Sequence, residues 1–432
     1  MPTIARFVGH EVLDSRGNPT VYAICELLSG AVGDASVPSG ASKGSSEAFE
    51  LRDGEPNRYG GLGCRLAAEN VSQKISDALA GAQIDQSGLD QRLIELDGTR
   101  SKSRLGANAI LAASLAFARA AAREAGIPLY RYFSELLGRP PTYIPRPTIN
   151  LFSGGKHAGG QVPVQDVLLV TISASSVDEA LAMTSDVYRA AVKLVREKYG
   201  ERALVADEGG LAPGFRDATA MLDDAVGAIL AAHLRPGRDV ALCIDMASTH
   251  FHHEGSYLWE NRLIDPLELI DLEVDWLDRY PIVSIEDGLS DEDWAYWPQL
   301  KKRVAGRALA LGDDLLATNP ERIERAVTLD AADALLLKPN QIGTISEAMH
   351  AYQLARSAGW MVTMSGRSGE TEDCWLADLA VGWSGDQLKV GSLTRSERLA
   401  KWNRLLLIER ETRLPMVDWP RQAANPARMQ TT

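Results

Sequence analysis

The sequence predicts an α/β protein, with a small α+β N-terminal domain over residues 1–138 and a C-terminal (β/α)8, TIM-like barrel over residues 148–420. Three observations predict it. After Thr148, short apolar stretches alternate with amphipathic helical patterns, the rhythm of βα units. Four of these stretches each end in one polar residue: Asp245 after VALCI, Glu286 after PIVSI, Asp313 after ALALG and Lys338 after DALLL. Between the two halves, RPPTYIPRP (139–147) is proline-rich and reads as a linker.

The elements follow in order. Residues 1–30 alternate polar and apolar, with TVYAICELL as a strand and DSRGNPT as its turn. VGDASVPSGASKGSSEAFELRDG is rich in Gly and Ser and reads as a long loop. From Gly61 to Gly138 the pattern is helical; NAILAASLAFARAAAREAG is an Ala-rich helix closed by Gly126 and Pro128. The barrel strands are VQDVLLV, ALVADE, VALCID, PIVSIE, ALALGD, DALLLK, WMVTMS and QLKVGS, the last six ending at 245, 286, 313, 338, 365 and about 390. Such a run of repeats suits a closed barrel. An open doubly wound sheet is the alternative, weakened because no GxGxxG opens a first βα unit. The polar tail, residues 421–432, is expected to fray.

Composition narrows the function. The chain has 432 residues, 45% apolar and 24% charged, as in ordinary globular proteins. A net charge of −13 argues against nucleic acid or an anionic membrane as a partner. There are four cysteines and no CxxC, so no disulfide framework is expected and a reducing cytoplasm fits; Cys243 and Cys374 read as buried. The first residues lack the apolar core of a signal peptide, and no apolar run is long enough to span a bilayer.

The strand ends carry the chemistry. In a parallel barrel all strand C-termini share one face. Asp245, Glu286 and Asp313 cannot all stay ionised there without a positive partner, and a divalent metal with oxygen ligands supplies one. Lys338 could act as a base if the metal lowered its pKa. Taken singly, each acid also reads as a helix cap; Asp287 and Asp314 are read as supporting groups. Glu208, in ADEGGLAP, would complete an acid/base pair across from Lys338. Lys156 and His157 sit in the glycine-rich loop SGGKHAGGQVPVQD (153–166), which has the character of a lid. Arg367 and Ser368, in SGRSGETED, suit a phosphate or carboxylate, and Lys389 adds positive charge. Ser39 and Lys43, in SVPSGASKGSSE, could reach over the site from the other domain.

The strings DSRGNPT, PSGAS, GANAILA, ADEGGLAP, SIEDGL, GDDL, LLLKPNQIG and SGRSGETED together resemble the enolase family, from about Ile4 to about Glu409. The resemblance implies a barrel that begins with two strands and two helices. It implies reversible dehydration of a 2-phosphoglycerate-type substrate to an enol phosphate, with two Mg2+ per site, the second arriving with substrate. A Lys or His base beside Mg2+ is the superfamily's known pattern, not a deduction from this chain. By matching motifs, Asp245, Glu286 and Asp313 would hold the first Mg2+, and Ser39 would ligate the second. Lys338 would abstract the proton beside the carboxylate, and Glu208 would protonate the leaving hydroxyl. Arg367 and Ser368 would hold the phosphoryl group and Lys389 the carboxylate, with His157 in the mobile loop. Homodimers or dimer-based octamers are implied as the assembly.

The departures fall on residues expected to face substrate. The family motif SHRSGETED reads SGRSGETED, with Gly366 in place of a His. Ser153 and Gly160 replace Asn, Asp166 replaces a Glu at the hydroxyl end, Lys43 replaces a Thr, and KPNQIG stands for KFNQIG or KVNQIG. The expectation is retained chemistry on a different or larger substrate, with Gly366 opening space and Lys43 pairing with an extra anionic group near the phosphoryl end. The alternatives are a divergent glycolytic enolase and a non-catalytic scaffold protein.

Overall fold

The computed structural model describes residues 1–40, 44 and 46–420. Lys43 and the tail 421–432 lie outside them. The N-terminal sheet is an antiparallel meander of β1 (Ile4–Leu13), β2 (Pro19–Leu27) and β3 (Val32–Ser36). Asp14 shapes the first turn by accepting the N–H groups of Arg16 and Asn18. β3 corrects the sequence reading, which placed these residues in a loop. The Ala-rich helix Ala107–Ala125 packs on this sheet, and a Cβ at Gly33 would lie 2.1 Å from Ala116 O. Only glycine permits so close an approach.

The barrel is closed and eight-stranded: β4 (Arg146–Ser153), β5 (Asp166–Thr171), β6 (Val240–Asp245), β10 (Ile282–Glu286), β11 (Leu309–Gly312), β12 (Ala334–Leu337), β13 (Met361–Ser365) and β14 (Gln387–Lys389). Three short strands, β7 (His252–His253), β8 (Ser256–Trp259) and β9 (Arg262–Ile264), form a small antiparallel sheet after β6. Helices Val177–Tyr199 and Ala218–Ala231 both follow β5, so the barrel does open with two strands and two helices.

Two corrections concern the staves. ALVADE is not a strand; its Val205 makes an isolated bridge to Leu211. The missing stave is β4, which begins inside the expected linker. Arg146 is buried there and donates to Thr171 O, Ala174 O and Val417 O, which fastens the strand's start to the barrel floor. The polar, proline-rich flank hid this strand.

β5 runs antiparallel to both β4 and β6. Its first residue, not its last, therefore reaches the face where the other strands end. The pairings Ser153↔Asp166, Asp166↔Asp245 and Asp245↔Glu286 set four polar residues in one row along the rim.

The N-terminal domain docks on this face. Ser39 bridges Gly369 just beyond β13, Arg119 pairs with Asp373 at 2.6 Å, and Lys102 pairs with Glu347 at 2.8 Å. Cys25, Cys64 and Cys243 are free and buried; Cys374, expected to be buried, is partly exposed. No helix among the described residues is long and apolar enough to cross a membrane.

Candidate active site

Asp245 and Glu286 end β6 and β10, Asp313 and Lys338 directly follow β11 and β12, and Lys389 ends β14. The Lys389 ammonium sits between two acids, 2.9 Å from Asp245 Oδ2 and 2.7 Å from each Glu286 oxygen. Lys338 Nζ lies 2.5 Å from Asp313 Oδ2. The other Asp313 oxygen accepts from Gln341 Nε2 at 2.8 Å, and Gln341 is held by Thr318. Asp287, with φ 44°, accepts the N–H groups of Asp313 and Asp314 at 3.0 and 2.7 Å. It thus fixes the loop that carries Asp313.

These acids exceed the charge that neutralises them. Burial raises Asp245, but Lys389 and His157 outweigh it and hold the acid at about 2. Glu286 shares the same ammonium yet is pushed well above the usual range by burial and by Asp245. One ammonium does not neutralise both. Asp314 is raised to about 7 by burial and by Asp313. Among the described residues, Asp287, Asp313 and Asp314 bring ligand atoms within 4.8 Å of one another, as do His157, Asp166 and Glu208. Asp245 and Glu286 are instead bridged by the Lys389 ammonium, and Asp313 pairs with Lys338. Gln165 Oε1, beside Asp245, is a buried acceptor with no partner among the described residues. Buried oxygen donors with surplus negative charge fit a hard divalent cation.

Burial lowers the pKa of Lys338, but Asp313 outweighs burial and the net displacement is upward.

On the hairpin loop between β4 and β5, His157 Nδ1 lies 2.8 Å from Asp166 Oδ2, and Ser153 Oγ donates to Asp166 Oδ1 at 2.6 Å. His157 Nε2 stands 3.9 Å from Glu208 Oε1, and Asn150 donates to Glu208 Oε2 at 3.2 Å. Burial lowers His157, but Asp166 and Glu208 raise it to about 9. Burial raises Glu208, yet His157, Arg398 and Lys389 bring it below its ordinary value. These displacements favour a proton on His157 and an ionised Glu208.

Arg367 Nη1 and Nη2 meet Glu47 Oε2 and Oε1 at 2.8 and 3.1 Å. A carboxylate from the N-terminal domain thus occupies the guanidinium fork expected to take the substrate anion. Ser368 lines the same recess, and its backbone carbonyl accepts from Arg398 at 2.6 Å. Gly366 also lines it, but a Cβ there would stand 2.9 Å from Glu370 Oε1. Glu370 accepts from Arg367 N and pairs with Lys401, which holds its carboxylate beside Gly366. Ser39 Oγ donates to Glu50 and accepts from Arg52.

Most of the expected residues, His157, Glu208, Asp245, Asp313, Lys338, Gly366, Arg367, Ser368 and Lys389, therefore line one recess, and Asp166 and Glu286 contact it through His157 and Lys389. Sequence reasoning missed Glu47, Gln165 and His250, which also line it. Gln165 precedes Asp166 at the start of β5 and was readable only with that strand's direction known. Glu47 follows the Gly/Ser loop and looks like surface charge.

Comparison with protein families matches residues 4–133 to "Enolase, N-terminal domain" and residues 141–415 to "Enolase, C-terminal TIM barrel domain". The chain belongs to the enolase family. It is accordingly an enolase-superfamily lyase, of a family that depends on magnesium.

Proposed function

We propose that this enolase-family protein is a hydro-lyase that dehydrates a 2-phosphoglycerate-like acid to its enolpyruvate product. The substrate we favour is a specialised one, with a carboxyphosphonate in place of the phosphate, as for a carboxyphosphonoenolpyruvate synthase in phosphonate antibiotic biosynthesis. The observation that carries the dehydration reading is the Asp245–Lys389–Glu286 bridge beside the Lys338–Asp313 pair.

Asp245, Glu286 and Asp313 are the residues we assign to the family's Mg2+. When bound there, the ion supplies positive charge to a substrate carboxylate that becomes more negative as the neighbouring C–H breaks. Lys338 takes that proton, which requires it first to be neutral; the charge on Asp313 controls this. Lys389, freed from the acids, binds the substrate carboxylate. His157 holds the proton needed by the leaving hydroxyl and passes it through or beside Glu208. Arg367 and Ser368 bind the phosphorus oxyanions once Glu47 yields the guanidinium. A small anionic substrate suits the basic residues of this recess, and a homodimer or dimer-based octamer remains our proposed assembly, in the cytoplasm.

A second reading, a divergent glycolytic enolase, is favoured by the match of both domains to the enolase family. Turnover of 2-phosphoglycerate and of its carboxyphosphonate counterpart decides between them. Faster dehydration of the counterpart supports the specialised substrate. Rapid turnover of 2-phosphoglycerate that Gly366→His does not improve overturns it.

A further inference from the structure

Past Asp245 at the end of β6, the turn Ser248–Phe251 presents His250 to the recess. Ala247, left-handed at φ 46°, starts the turn. Its other members are fastened. Ser248 Oγ donates to Gly288 O at 2.9 Å, and Thr249 Oγ1 accepts the Asp291 N–H at 3.0 Å. Phe251 packs edge-on against Tyr257 and Trp259, with centroids 5.9 and 5.7 Å apart. Only the half-buried imidazole of His250 is left without a hydrogen bond to any described residue. A half-buried ring whose nitrogens bond no described residue can offer both to a ligand in the recess.

The surroundings say which part of a ligand it meets. Burial, Lys156 and His157 push its pKa down to about 4, against Asp245 and Asp313. At neutral pH the ring is an uncharged donor and acceptor. His157 and Glu208, the pair assigned above to the leaving hydroxyl, line the same recess. We propose that His250 is a specificity-determining contact that hydrogen-bonds the hydroxymethyl end of the substrate. This rests on the dehydration reading. The bond exists with the hydroxylated substrate and has no counterpart in the enol product, so His250 distinguishes the two sides of the reaction.

The test uses the full chain with Mg2+ and calorimetric binding of two ligand pairs: 2-phosphoglycerate with phosphoenolpyruvate, and their carboxyphosphonate counterparts. His250→Ala should raise Kd for the hydroxylated ligand about three- to tenfold, the worth of a neutral hydrogen bond, and leave the enol product within about twofold. His250→Gln, which keeps a neutral donor and acceptor, should recover most of the loss. Equal weakening of both ligands, or no weakening of either, overturns the assignment while the dehydration reading stands. If the unmutated protein binds neither pair, the dehydration reading falls and the assignment with it.

Discussion

Ser153 donates its hydroxyl to Asp166 Oδ1 at 2.6 Å, across the rung where β4 and β5 pair. Both positions depart from the enolase pattern, and here they contact each other. Asp166 is short, and Ser153 steadies it while its other oxygen faces His157. Ser153→Ala leaves that buried oxygen without its donor. Stability should fall by about 1–3 kcal/mol in denaturant unfolding. An unchanged midpoint would show that the bond carries nothing.

His157 links stability to pH. Its folded value of about 9 exceeds the ordinary 6.5. The stabilisation is complete below pH 6.5 and disappears as pH rises through 9. A rise of that size corresponds to roughly 3 kcal/mol. The advantage of the parent protein over His157→Gln should shrink across this window in parallel thermal melts. A constant gap would contradict it.

Lys338→Ala should abolish exchange of the hydrogen beside the substrate carboxylate, followed by NMR in deuterated water. The expected loss is at least about 10²-fold, the lower range for a positioned base. Exchange at the parent rate would remove Lys338 from that role.

Glu286→Gln should weaken Mg2+ binding by about tenfold or more in calorimetry, since one of three proposed charged ligands is lost. The same change relieves repulsion with Asp245, so the metal-free variant should melt no lower than the parent. Unaltered Mg2+ affinity would move the ion elsewhere.

Glu47→Gln should strengthen binding of an anionic substrate or inorganic phosphate, because the carboxylate no longer competes for Arg367. A severalfold lower Kd is expected for a weakened charge-assisted pair. A higher Kd would mean that Glu47 serves closure rather than competition.

The sequence showed the barrel through its apolar strand ends, because a buried parallel strand must finish at the rim where its polar residue becomes visible. Asp245, Glu286, Asp313, Lys338 and Lys389 were legible for that reason. β4 was not, since its start lies in a proline-rich stretch and its first residue, Arg146, is tied to backbone carbonyls. ALVADE misled because an apolar run of that length fits either a strand or a packed loop. Protonation states were also hidden: the upward displacements of His157 and Lys338 depend on distances between residues brought together by the fold. Gly366 shows a similar limit, since Glu370, whose carboxylate is held beside it, is only four residues away but meets it through the fold of the loop.

The inverted direction of β5 has a consequence for how this scaffold changes over time. The loop that carries Lys156 and His157 leaves and re-enters the barrel on adjacent strands, at the paired residues Ser153 and Asp166. Its two ends are therefore held at a fixed separation whatever its length or content. Such a segment is an exchangeable cassette: it can be shortened, extended or rewritten while the other staves keep their places. In this protein the cassette's two hinge residues also touch the chemistry, so replacing it would bring in a new lid and new acid-side hardware in one step.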